Sequence, residues 1–149
     1  MIFKEVNQDL FSVPEDYYLA HCISADFALG AGIAVQFNRR FCTKSQLIRE
    51  YPGYLSLWDS KYVGRGDCIL TDHHVFNLVT KRNYWEKPTY VSLHSALNEM
   101  KKFIVQFGIK KLAMPQIGCG LDRLEWRNVR GMIKSIFEDV DIEITVCYL

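Results

Sequence analysis

The sequence predicts a layered α/β domain with a largely parallel central sheet covered by helices on both faces. Short apolar runs alternate with amphipathic stretches along all 149 residues, the pattern of stacked strands and helices. Several runs are apolar at consecutive positions, as strands must be when both faces are covered. Strand, helix and strand follow in succession, which requires right-handed crossovers and parallel pairing. The length suits one domain spanning residues 1–149, and 49% hydrophobic residues supply a full core.

The elements follow in chain order. Residues 2–6 (IFKEV) and 18–23 (YLAHCI) read as the first two strands. Gly30-Ala31-Gly32 then leads into a helix carrying Ile33, Ala34, Val35 and Phe37 toward Phe41. Residues 51–66 mix aromatics with Pro52, Gly53, Gly64 and Gly66, and are expected to be surface structure beside a short strand near Cys68-Ile69-Leu70. His73 and His74 are expected on a strand, pointing to opposite faces. Residues 75–80 (VFNLVT) form a buried strand. The clearest helix follows Pro88-Thr89: Tyr90, Leu93, Leu97, Met100, Ile104 and Phe107 fall on one face, with Thr89 as N-cap and Gly108 as the stop. A strand at residues 111–114, a helix with Trp126, Val129, Ile133 and Ile136 on one stripe, and a strand at residues 142–147 complete the chain.

Composition narrows the function. Eighteen basic against 17 acidic residues give a net charge of +1, no general basis for holding nucleic acid or an anionic membrane. No run approaches the roughly 20 apolar residues of a membrane helix, and the first residues lack a signal-peptide pattern. Five scattered cysteines without a Cys-x-x-Cys pair, and four histidines at no ligand spacing, predict neither metal nor disulfide framework. Reduced thiols fit a cytoplasmic protein, or a nuclear one in a eukaryote. A monomer is the expectation for such a domain.

In parallel sheets ligands sit beyond the carboxyl ends of the strands. The loop after Met114 reads Pro115-Gln116-Ile117-Gly118-Cys119-Gly120-Leu121-Asp122-Arg123. Its glycines let backbone N–H groups turn toward a phosphate before a helix begins. It is neither a Walker A loop nor a dinucleotide fingerprint, and the alternative is a tight turn with Asp122 near the helix start. Gly30-Ala31-Gly32 sets a second small-residue loop at the end of another strand, where close helix packing is the alternative. Two such loops on one rim would hold a diphosphate between them. Lys81 follows a buried strand, and desolvation there would free its amine as a nucleophile. The alternative is an ordinary solvated lysine, like Arg82 and Lys87. Together, one lysine and one acid on this rim suffice for imine chemistry.

Three runs resemble the macrodomain family, in its terminal ADP-ribose protein glycohydrolase branch. They are His21-Cys22-Ile23-Ser24 with Gly30-Ala31-Gly32-Ile33-Ala34-Val35, Thr80-Lys81-Arg82 before Lys87-Pro88-Thr89-Tyr90, and the long block from Met114 through Asp122 to Trp126. The resemblance implies a three-layer α/β/α macro fold with a mixed, mostly parallel central sheet, ADP-ribose in a cleft and no metal or further cofactor. By the same resemblance, Lys81 attacks the anomeric carbon of the distal ribose and Asp122 helps resolve a lysyl-ADP-ribose intermediate. The loops carrying Gly30, Ala31, Gly32, Ile33 and Ala34, and Pro115, Gln116, Ile117, Gly118, Cys119, Gly120 and Leu121, would hold the diphosphate and distal ribose. Ser24 would lie near the reacting sugar, Asp9 would accept a hydrogen bond from the adenine amino group, and His21 and Leu10 would be among the substrate-binding residues. Gln8 departs from the glycine that usually precedes that aspartate.

The implied activity is removal of ADP-ribose from a modified macromolecule, either ester-linked on protein carboxylates or attached to nucleic-acid bases. Phosphatase action on ADP-ribose 1''-phosphate, deacetylation of O-acetyl-ADP-ribose and non-catalytic reading of ADP-ribose are the alternatives. Cys119 is expected to be chosen for its size rather than as a nucleophile. Arg39, Arg40, Lys44, Lys81 and Arg82 could together form a basic groove for DNA.

Overall fold

In a computed structural model that describes residues 1–149, the apolar runs become six strands of one sheet. They are β1 (Ile2–Asn7), β2 (Tyr18–Ser24), β3 (Asp67–Thr71), β4 (Val75–Lys81), β5 (Lys111–Met114) and β6 (Glu143–Tyr148). Their order is β1-β6-β5-β2-β4-β3. Every neighbouring pair is parallel except β3 with β4. Five strands therefore end at one edge of the sheet, which is where a ligand site is expected.

Five helices cover the two faces: α1 (Ile33–Phe41), α2 (Thr43–Glu50), α3 (Tyr54–Lys61), α4 (Tyr90–Phe107) and α5 (Trp126–Phe137). Leu93, Leu97, Met100 and Ile104 of α4, with Val129 and Ile133 of α5, pack on Phe76, Leu78, Leu112, Met114 and Ile144. On the opposite face Phe37 of α1 meets Leu19, Val75 and Ala113, while Leu47, Tyr54 and Trp58 meet Ile23, Ile69 and Val79. The alternating strand residues thus build two cores, giving the expected three layers.

Local chemistry sets the element ends. Thr89 Oγ1 accepts a 3.0 Å bond from Ser92 N while Ser92 Oγ accepts one of 3.0 Å from Thr89 N, closing both ends of a capping box on α4. Gly108 stops that helix at φ 62°. Gly66 has no room for a side chain: a Cβ there would lie 2.1 Å from Ser92 O. That contact lets α4 lie directly against the start of β3.

Two expectations need correction. Residues 51–66 are not all surface structure: half of them fold as α3, whose Tyr54 and Trp58 are buried. Pro52 and Gly53 only break the chain between α2 and α3. His73 and His74 are not on a strand. They sit in the β3–β4 turn at φ 65° and 60°, an uncommon conformation for side-chain-bearing residues. His74 stacks on Tyr18 and His73 on Phe41, which holds the turn in place.

Candidate active site

The site grows from the carboxyl ends of β2, β4 and β5. After β2 the chain turns to α1 on one face of the sheet, whereas after β5 it turns to α5 on the other. Because β2 and β5 are neighbours, these diverging loops open a crevice between them. The two small-residue loops meet there. A Cβ on Gly32 would stand 3.5 Å from Leu121 Cδ1, and Gly32 itself has φ 61° and ψ −148°, a region open only to glycine. Phe27, Leu29 and Arg123 in the same loops also take positive φ, so backbone strain gathers where β2 and β5 end.

A cleft of about 400 Å³ follows this edge. Of the candidate residues, Asp9, Leu10, Ile33, Pro115, Gln116, Cys119 and Gly120 line it. Gln8, Phe11, Gln36 and Tyr148 line it too, and these were not anticipated. Helical spacing would have found Gln36, which lies one turn beyond Ile33. Asp9 Oδ1 accepts a 3.0 Å bond from Phe11 N, fixing the chain at the turn where Gln8 departs from the family pattern. No side chain caps α1, so its first amides and its positive dipole end are available beside Ile33.

Beyond Leu121, at the end of β4, Lys81 Nζ donates to Asp122 Oδ1 at 2.7 Å. The two side chains are only 14% and 16% exposed, and they come from residues 41 apart. Ser24 is the register neighbour of Lys81 across a bulge, and its hydroxyl is spent on Asp26 Oδ1 at 2.5 Å. Asp26 also accepts from Ala28 N at 3.1 Å and Tyr84 N at 2.9 Å, so it ties the β2–α1 loop to the loop after β4. Sequence reading missed Asp26. Its signal was an aspartate two residues before a loop amide, the pattern of an Asx-turn.

Other expected site residues lie elsewhere. His21 is fully buried beneath the cleft, with Nε2 2.7 Å from Asn77 Oδ1 and its ring stacked on Phe37 at 3.9 Å. Burial holds its protonation down to about 4, so the ring is neutral. Ile117 and Ala34 are buried, and Gly118 packs against Leu93 and Leu124 at φ 73°. Gly30 and Ala31 are exposed on the rim. Cys119 Sγ donates to Ile117 O at 3.2 Å, and burial pushes its thiol up to about 11, which disfavours a thiolate nucleophile. Arg82 is bound to Asp59 at 2.7 and 2.9 Å and Lys81 to Asp122, so two members of the expected basic groove already have carboxylate partners.

Comparison with known proteins agrees with this geometry. No family model matches the chain. It is 42% identical over 142 residues to the human protein named ADP-ribose glycohydrolase OARD1, a match covering 95% of this chain and 88% of that one. The fold superposes on the macrodomain of Mycobacterium tuberculosis DarG with a TM-score of 0.79 at 20% identity, over 99% of this chain and 98% of that one. Thermosipho africanus DarTG, solved in complex with ADP-ribose, superposes with a TM-score of 0.72 at 20% identity, over 98% of this chain and 41% of that one. With its glycine loops converging on a crevice and its extensive likeness to the human enzyme, the chain belongs to the macrodomain family, in the branch that contains OARD1.

Proposed function

We propose that this protein is a hydrolase that removes ADP-ribose from modified macromolecules, with Lys81 as nucleophile and Asp122 as its proton partner. The observation that carries the reading is the 2.7 Å contact between Lys81 Nζ and Asp122 Oδ1 beside the crevice. A shielded lysine against a carboxylate can exchange a proton within the pair, which a reader of ADP-ribose would not need. The name of the human relative, ADP-ribose glycohydrolase, supports the same reaction class.

In this reading the diphosphate lies against the uncapped first turn of α1 and the loop amides around Gly120, where partial positive charge meets free donors. Asp9 receives the adenine amino group, and the distal ribose reaches Lys81. Asp122 takes a proton from the lysine, and the neutral amine attacks the anomeric carbon. The bond to the modified side chain or base breaks, and the departing group leaves with its electron pair and the proton now on Asp122. The secondary ammonium so formed links lysine to ADP-ribose. Water then attacks the same carbon while Asp122 accepts a proton from it, and the carbon–nitrogen bond breaks to return the amine. The net change is one water consumed and one ADP-ribose released.

The test pairs wild type with Lys81→Ala on two substrates, an ADP-ribosylated glutamyl peptide and an oligonucleotide with an ADP-ribosylated base. The variant should bind free ADP-ribose with micromolar affinity, about −8 kcal/mol, and release none from either substrate. Asp122→Ala should turn over slowly and accumulate a protein–sugar adduct visible by intact mass. Normal release by Lys81→Ala overturns the mechanism, and phosphate release from ADP-ribose 1''-phosphate without sugar release overturns the activity.

A further inference from the structure

The loop leaving Lys81 carries two large aromatic side chains that the core does not use. Tyr84 and Trp85 are 63% and 66% exposed, and their rings meet edge to face with centroids 5.1 Å apart. Tyr84 is three residues beyond Lys81, so the two Cα atoms are separated by no more than about 11 Å. The loop is anchored on both sides of the crevice. Tyr84 N donates to Asp26 Oδ2 at 2.9 Å, and Lys87 Nζ donates to Leu121 O at 2.6 Å. Within the loop Glu86 Oε1 accepts from both the main-chain N and the side-chain Nδ2 of Asn83, at 2.8 and 2.9 Å.

We propose that Tyr84 and Trp85 form a fixed aromatic shelf on which the leaving group stacks, and that it selects a nucleobase. This rests on the glycohydrolase reading and adds a binding site for the other half of the substrate. The loop that carries the shelf begins at Lys81 and is tied to both loops flanking the crevice, so the shelf borders the path of a group departing from a sugar carbon held at Lys81. Arg82 is paired with Asp59, and the Lys87 ammonium is tethered to the Leu121 carbonyl. A surface of exposed π-faces with a single tethered lysine, rather than a track of cations, suits a flat, uncharged ring better than an acidic peptide or the backbone of a duplex. An unpaired base in a single strand presents such a ring, since it can leave its neighbours and stack on aromatic side chains.

The experiment compares wild type, the double variant Tyr84→Ala/Trp85→Ala and the conservative Trp85→Phe. Each is assayed on a single-stranded oligonucleotide bearing an ADP-ribosylated base and on an ADP-ribosylated glutamyl peptide. The double variant should lose about tenfold or more in kcat/KM on the oligonucleotide, through KM, and keep peptide turnover unchanged. Trp85→Phe should restore most of the loss. Peptide turnover also reports that the variant is folded. Equal effects on both substrates, no effect on either, or wild type acting on the peptide alone would each overturn the shelf. Wild type releasing ADP-ribose from neither substrate would instead overturn the glycohydrolase reading on which it rests.

Discussion

His21 makes the stability of this fold depend on pH in a way that can be calculated. Its ring is fully buried, Nε2 bonds Asn77 Oδ1, and Nδ1 has no partner. A second proton would place an unpaired charge against Phe37, so burial lowers the protonation midpoint from 6.5 in the free side chain to about 4. The unfolded chain therefore binds the proton first. The contribution is complete above about pH 7 and is lost as pH falls through 6.5 toward 4. At about 1.4 kcal/mol per pH unit, the gap corresponds to about 3 kcal/mol in full, of which about 2 kcal/mol is lost by pH 5. Urea unfolding of wild type and His21→Gln at pH 8 and pH 5 measures it. Wild type should lose about 2 kcal/mol more than the variant between the two conditions. Half-buried Asp67, whose carboxyl is pushed up by desolvation, works in the opposite direction but contributes equally to both proteins. Parallel losses in wild type and variant would refute the assignment of His21 as a neutral core residue.

Two further outcomes follow from the packing and from the site. Gly66→Ala must push Ser92 O away from a contact of 2.1 Å in a helix that cannot shift alone, and should destabilise the fold by about 3 kcal/mol or more, read as a lower urea midpoint. Cys119→Ser should retain near-normal release of ADP-ribose, because the thiol is held protonated and bonds Ile117 O. A loss comparable to that of Lys81→Ala would make the sulfur a reacting group.

Much of the fold was legible in the sequence because periodicity and punctuation agreed. Thr89 and Gly108 bracket an apolar stripe that could only be α4, and the consecutive apolar residues of β4 require cover on both faces. The helices α2 and α3 were not legible. α2 exposes Ser45, Ile48, Arg49 and Glu50 and buries only Thr43, Gln46 and Leu47. In α3 the apolar Tyr54, Leu55, Leu57 and Trp58 spread around the helix, so no stripe announces it, and Pro52-Gly53 reads as a loop. Misplacing His21 has a similar cause: alternation shows which residues share a face of β2, not how deeply a covered face lies.

The candidate site divides along the same line. Residues that act through their backbone, such as Gly32 and the glycines after Met114, announce themselves locally because few other residues tolerate their conformations. Residues that act through partners do not. Lys81 and Asp122 are 41 positions apart, and nothing in the spacing joins them; the resemblance to a known family paired them before the structure did. What brings them together is topology. Parallel β2, β4 and β5 end at one edge, and the chain leaves β2 and β5 toward opposite faces, so the two loops part and the end of β4 stands beside the opening. Asp26 then fixes the loop after β4 to the loop after β2, while Lys87 fixes it to the loop after β5.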